Sequence, residues 1–260
     1  MSQPGDPFGP DPFRLDGTVA AVTGSNRGIG RALAVGLAAA GSEIVHLNRS
    51  DSAEVIEQIA DAGGASTHVP YDLSADPARV EDVVEQAISW RGHLDVLVNS
   101  AGRVVRAPAL EQRPEELIEL LQVDLHAPML LSRAVGRHMV ERGSGRIINI
   151  ASLMSFQGGN NVAGYAAAKS GLAGLTRAFA NEWGRHGVTV NAIAPGYIAT
   201  DINEDLWSDP ERHSELLARI PAGRWGSPRD LAGAAVFLAS PAAAYVNGHV
   251  LAVDGGWLSR

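Results

Sequence analysis

The 260-residue chain contains no cysteine. Disulfides, thiolate metal ligands and a thiol nucleophile are therefore excluded, although this absence identifies no compartment. No uncharged apolar run reaches the ~20 residues that a membrane-spanning helix needs. Basic residues are in the minority, 21 Lys and Arg against 29 Asp and Glu, for a formal net charge of −8. No basic cluster of the kind that follows a phosphate backbone occurs, so no nucleic-acid partner is expected. The eight histidines (His46, His68, His93, His126, His138, His186, His213 and His249) are scattered without ligand spacing, and no metal is expected. A Gly-x-Ser-x-Gly elbow is also missing, which removes a serine-hydrolase reading. The first residues are rich in Pro, Gly and Asp and lack the basic start and apolar core of a secretory signal. Residues 1–14 are expected to form a flexible tail, and the protein to be cytoplasmic.

What remains is a chain with 45% hydrophobic residues, long enough for one large α/β domain over residues 15–260. Short runs rich in Val, Ile and Leu at 18–23, 43–48, 67–71, 94–99, 146–151, 189–194 and 250–253 read as buried parallel strands. Helical patterns separate them at 29–40, 53–62, 77–90, 115–140 and 165–183. This alternation predicts a doubly wound parallel sheet with helices on both faces. Residues 196–226 fit it least well. Their prolines, tryptophans and charges predict a small helical lid.

The segment Thr23-Gly24-Ser25-Asn26-Arg27-Gly28-Ile29-Gly30 follows the first strand and opens the first helix. Gly24 allows a sharp turn, while Gly28 and Gly30 remove side chains where backbone must approach a pyrophosphate. The helix N-terminus then offers free N–H groups to the anion. A dinucleotide cofactor is expected. At the end of the second strand an acid favours a free 2′-hydroxyl, and an Arg accommodates a 2′-phosphate. Here Asn48 and Arg49 stand at that position, with Arg27 inside the glycine loop. NADP(H) is therefore favoured, with NAD(H) as the alternative. Asp72, followed by Leu73, either reads the adenine amino group or caps the next turn.

Tyr165 and Lys169 are four residues apart on one helix face. A free phenol has a pKa of ~10, and an adjacent ammonium favours its anion. Ser152 ends a strand and can hydrogen-bond a carbonyl or alcohol oxygen. The three side chains suit a proton transfer coupled to hydride exchange at a nicotinamide.

Together with Asn99-Ser100-Ala101-Gly102, Asn191, Pro195-Gly196-Tyr197-Ile198-Ala199-Thr200 and Val253-Asp254-Gly255-Gly256, these motifs resemble the short-chain dehydrogenase/reductase family over residues 15–257. The resemblance implies a Rossmann-type sheet of about seven strands and a homotetramer. It implies that Ile198 and Thr200, with Pro195 and Gly196, seat the nicotinamide. Asn99 is assigned to holding the central sheet, and Ala101 with Gly102 to the adenosine side. Two positions depart from the family pattern. Ser100 replaces a second Asn. In Val123-Asp124-Leu125, Asp124 replaces an Asn that kinks the central helix and whose carbonyl holds a water leading from the lysine. A carboxylate at 124 is expected to raise the Lys169 pKa, and Asp124 joins the candidate catalytic residues.

Within the family, the strings Ser155-Phe156-Gln157-Gly158-Gly159 and Pro221-Ala222-Gly223-Arg224-Trp225-Gly226 are similar to dehydrogenases of sugar acids such as deoxygluconates. That group tends to carry an apolar and a basic residue where this chain has Asn160-Asn161. Arg106, Gln157, Asn160, Asn161 and Asn203 are candidates for binding a polyhydroxylated acid, with Trp207 placed to stack on a sugar face. Arg224-Trp225 reads as a structural hinge, and Trp257 as packing across a subunit boundary. The expected activity is interconversion of a secondary alcohol and a ketone. The alternatives are a 3-oxoacyl thioester or generic ketone reductase, and a low-turnover dinucleotide-binding protein of the same fold.

Overall fold

In the computed structural model, residues 11–75 and 77–260 are described. Most of the expected tail lies outside the described residues. Of its last four, Pro12 accepts a hydrogen bond from the Ala242 amide and Phe13 packs against Phe237.

All strand pairs are parallel: β1 (Val19–Thr23), β2 (Glu43–Asn48), β3 (Ser66–Pro70), β4 (Val96–Asn99), β5 (Gly145–Ile150), β6 (Val188–Pro195) and β7 (Val250–Val253). They form one seven-stranded sheet in the order β3-β2-β1-β4-β5-β6-β7. β1 is buried along its whole length because both faces are covered. Val19 and Ala21 face a cluster with Val83 and Ala87 of α3 (Val80–Ser89) and Leu131, Val135 and Met139 of α5 (Ala127–Arg142). Ala20 and Val22 face Leu33 and Leu37 of α1 (Gly28–Ala39), with α2 (Ala53–Asp61) beside them. The strand order reverses between β1 and β4, so the loops leaving their C-terminal ends diverge there and open a crevice.

The helix expected over 115–140 is interrupted. α4 (Pro114–Leu121) runs into a π turn, Gln122–His126, before α5 begins. The wider turn carries Asp124 into the interior, where it is fully buried. α6 (Ala163–Trp183) follows β5 and carries Tyr165 and Lys169. Residues 196–226 leave and return at one point. Ile198 pairs with Gly226, and the Gly226 amide donates to the Tyr197 carbonyl at 2.9 Å. Between these ends lie α7 (Glu204–Trp207) and α8 (Pro210–Arg219), which is capped by Asp209 through the amides of Glu211 and Arg212. The sequence reading missed α9 (Ala232–Ala239). Its run AGAAVFLA is apolar all round, so it has no polar face to mark a helical period. Among the described residues no helix is long and apolar enough to cross a membrane, and no cluster of acidic and histidine side chains is arranged to hold a metal.

Candidate active site

A cleft of about 1360 Å³ opens over the C-terminal ends of β1, β4, β5 and β6. Its lining includes the glycine loop, Ser152, Tyr165, Lys169 and the inner wall of 196–226. The sequence thus places its two main motifs in one cavity although they are more than 100 residues apart.

The glycine loop has two tight positions and one open one. Gly24 sits at φ +66°, and a Cβ there would meet Ala101 Cα at 2.8 Å. A Cβ on Gly30 would stand 2.2 Å from the Gly24 carbonyl oxygen. Gly30 therefore serves helix–loop packing, rather than the approach to pyrophosphate expected of it. A Cβ on Gly28 would meet only Thr200 Cγ2, at 3.9 Å, so the close approach of a ligand falls to Gly28. Arg27 is the N-cap of α1 and offers no side-chain cap, and no acid lies in the first turn. These uncapped N–H groups and the small residues suit the phosphates of a dinucleotide. Asn26, Ile29, Leu73, Ala101, Gly102, Pro195, Gly196, Ile198 and Thr200 line the same cleft.

Asn48 lines the cleft at the end of β2, with its side chain engaged inside the loop. Its buried side chain accepts from the Ser25 amide at 2.8 Å and donates to Ser52 Oγ at 2.7 Å, tying the glycine loop to the end of β2. Arg27 and Arg49 stand exposed at the cleft mouth, 3.1 Å from Asp201 and 3.7 Å from Asp72. Asp72 Oδ1 caps its own turn, accepting from the Ser74 amide and hydroxyl at 2.9 and 2.7 Å. Asn99 does not line the cleft. It donates to Asn149 Oδ1 at 2.8 Å and Ser132 Oγ at 3.0 Å, holding β4 to β5 beneath the site.

Ser152 caps the turn that follows β5, accepting from the Met154 amide at 3.2 Å. Lys169 Nζ lies 5.5 Å from the Tyr165 ring centroid and donates to the Ile150 carbonyl at 3.0 Å. It is also 3.2 Å from Asp124 Oδ2, with both side chains almost wholly buried. Asp124 Oδ1 accepts from the Arg103 amide at 2.8 Å. Burial pushes the Lys169 pKa down, but Asp124 and then Tyr165 outweigh it and the value stands above that of an ordinary lysine. Burial pushes the Asp124 carboxyl above its usual range, against the pull of Lys169 and the Arg103 amide. The lysine is therefore held in its charged form beside this carboxyl.

The substrate candidates divide. Arg106, Gln157, Asn160, Asn161 and Asn203 line the cleft. Asn161 adopts φ +62°, a left-handed conformation that Asn tolerates better than most residues. Arg106 donates to the Ile202 carbonyl and Asn203 Oδ1, both at 2.8 Å, so these two are partly occupied with each other. Trp207 is outside the cleft, its indole N–H donating to the Thr200 carbonyl at 3.2 Å. Arg224 makes a two-pronged contact with Asp230 at 2.7 and 2.9 Å, which fixes the hinge. Trp257 is buried within its own chain, 4.6 Å from Tyr197 between ring centroids, instead of reaching across a subunit boundary. Sequence reasoning missed Tyr197, Arg212, Glu215, Leu216, Arg219 and Trp257 as cleft residues. The i, i+7 spacing of Arg212 and Arg219 was the available signal, since it puts both on one face of α8.

The family model adh_short_C2, described as enoyl-(acyl carrier protein) reductase, matches residues 23–258. The chain belongs to the short-chain dehydrogenase/reductase family. It is 46% identical over 252 residues to the 2-dehydro-3-deoxy-D-gluconate 5-dehydrogenase of Escherichia coli (strain K12), covering 95% of this chain and 98% of that one. A crystal structure from Beutenbergia cavernae with NADP bound at low occupancy is 51% identical, covers 96% of this chain and all of its own, and superposes with a TM-score of 0.93. A gluconate 5-dehydrogenase from Burkholderia cenocepacia, solved with NADP and tartrate, is 42% identical over 96% of this chain and 98% of its own, with a TM-score of 0.93.

Proposed function

We propose that the protein is an NADP-dependent dehydrogenase of a sugar acid, interconverting a secondary alcohol and a ketone. The observation that carries this reading is a single cleft holding the glycine loop, Ser152, Tyr165 and Lys169, with an arginine-bearing wall opposite. The dehydrogenase names of the relatives and the NADP bound in two of them support it.

The nicotinamide, when bound, supplies the hydride acceptor or donor. Gly28 and the α1 N-terminus would hold its pyrophosphate, and Ile198 and Thr200 its amide end. Arg27 and Arg49 would meet the 2′-phosphate, exchanging their exposed Asp201 and Asp72 contacts for a stronger anion. Ser152 orients the substrate oxygen and Tyr165 exchanges the proton with it. Lys169 places positive charge beside the phenol. With one N–H donated to Ile150 and its charge beside Asp124, it keeps N–H groups for the ribose hydroxyls. Asp124 acts as a positioning residue that keeps Lys169 charged and in place.

The polar wall, with Arg106, Asn203, Asp205, Arg212 and Glu215, favours a hydroxylated acid over the apolar groove that a 3-oxoacyl chain requires. In this reading residues 196–226 act as a lid on the domain formed by 15–260. The half-exposed Val250, Leu251 and Val253 on the edge strand β7 are apolar surface that a homotetramer would cover, and light scattering tests that assembly. A cytoplasmic location completes the proposal. The deciding experiment is initial-rate oxidation of D-gluconate, 2-deoxy-D-gluconate and related acids with NADP and NAD side by side. Turnover with NADP preferred is the expected result. Cofactor binding without turnover of any acid would overturn the reading.

A further inference from the structure

We infer that Arg219 is the carboxylate-binding residue of the cleft, its guanidinium edge receiving the acid group of the substrate. The inference rests on the sugar-acid reading above and names the part of the site that would make the enzyme prefer an acid.

Three guanidinium groups line the wall contributed by 196–226 and its neighbour Arg106. They also share one landmark. Burial raises the Tyr197 phenol, and the charges of Arg219, then Arg212 and Arg106, oppose that rise. Two of them already have an acidic partner. Arg106 lies 3.4 Å from Asp205 and donates to the Ile202 carbonyl and Asn203 Oδ1 at 2.8 Å. Arg212 donates to Glu215 one turn along α8 at 2.7 Å. Arg219 makes no ion pair or side-chain hydrogen bond among the described residues. Its contact is with the ring of Trp257, 4.0 Å from Cζ to the centroid.

That contact is a holding device. A guanidinium resting against a ring can keep its N–H edge free, and that edge matches a carboxylate with two parallel hydrogen bonds. The ring itself is held by packing. Trp257 is buried and packs in one cluster with Leu153, Leu216 and Ile220, with Tyr197 alongside. Leu153 directly follows Ser152, so the platform under Arg219 is built on the same turn that positions the reacting oxygen. Arg219 and Ser152 thus flank one packed cluster, Arg219 through Trp257 and Ser152 through Leu153. This arrangement also answers the missing basic residue at Asn160-Asn161, because the positive charge comes from α8 instead.

The test compares D-gluconate and 2-deoxy-D-gluconate with their uncharged amides at saturating NADP, in the full-length enzyme and in Arg219→Gln, Arg219→Lys and Arg212→Gln. Circular dichroism and NADP fluorescence titration verify that each variant is folded and binds cofactor. Arg219→Gln should raise KM for the acid about 10- to 100-fold, the size of a lost charged hydrogen-bond pair. Its KM for the amide should stay within about threefold of wild type, since the amide has no charge to lose. Arg219→Lys should recover part of the acid preference, and Arg212→Gln should reduce it less than Arg219→Gln does. An unchanged acid-to-amide ratio in Arg219→Gln would overturn the assignment while leaving the sugar-acid reading in place. Failure of the wild-type enzyme to turn over either form would overturn that reading and the assignment with it.

Discussion

Replacing Asp124 by Ala leaves a buried ammonium without its counter-charge. At an effective dielectric constant of about 20, unit charges at the 3.2 Å separation of Asp124 and Lys169 attract by about 5 kcal/mol. Desolvation of both groups consumes much of this, so the pair contributes little net stability compared with an apolar substitute. Loss of one member is another matter, because the desolvation of the other is then uncompensated. Asp124→Ala should destabilise the fold by about 3–5 kcal/mol, and the double variant Asp124→Leu/Lys169→Met by markedly less. Urea denaturation followed by circular dichroism at pH 7.5 reads both values. That pH is appropriate because the folded-state Lys169 pKa is raised. Its stabilisation is fully present below the ordinary lysine value and is lost only as pH climbs through the raised one. A double variant destabilised as much as Asp124→Ala, or more, would refute the coupling.

Other outcomes are fixed by the same structure. His46 is buried on β2, and burial, with a smaller contribution from His68, lowers its pKa to about 4 from 6.5. The unfolded chain takes up a proton below pH 6.5 while the folded chain does not, so stability should fall by about 3 kcal/mol in all between pH 6.5 and 4. His46→Val should flatten that slope, and an identical slope in the variant would remove His46 as its source. Arg49→Ala should raise KM for NADP about tenfold and leave NAD kinetics unchanged, whereas equal effects on both cofactors would dismiss the 2′-phosphate contact. Gly30→Ala drives a Cβ into the Gly24 carbonyl and should cost about 1–3 kcal/mol with weakened NADP binding. A fully stable Gly30→Ala protein with normal affinity would show that the loop yields.

The legible features were those set by local pattern. The strands announced themselves as short apolar runs because a sheet covered on both faces buries every side chain. Tyr165 and Lys169 could be placed on one face because four residues are just over one helical turn. The features that escaped depend on partners distant in the chain. The π turn at Gln122–His126 interrupts a pattern that reads as continuous helix, and only the family resemblance anticipated a kink there and an effect of Asp124 on Lys169, 45 residues later. Asn48 looked like a ligand contact because its position is the ribose-reading one, yet Ser25 and Ser52 already occupy its amide. Trp257 lies at the end of the chain and gave no local sign that Tyr197 and Leu216 would enclose it. Arg219 is indistinguishable from a solvated surface arginine until its ring platform and its lack of an ion pair among the described residues are seen.

The proposed chemistry depends on a phenol that exchanges a proton in step with hydride transfer, and Tyr165→Phe removes that hydroxyl alone. Wild type and Tyr165→Phe should be compared with D-gluconate and 2-deoxy-D-gluconate under NADP, following NADPH absorbance and titrating cofactor affinity in parallel. The expected result is loss of kcat on the order of 100- to 10,000-fold, the range for removing a general acid–base, with NADP affinity retained. A Tyr165→Phe enzyme that binds NADP and keeps more than about a tenth of the wild-type kcat would contradict the assignment of Tyr165 as the proton-exchanging residue.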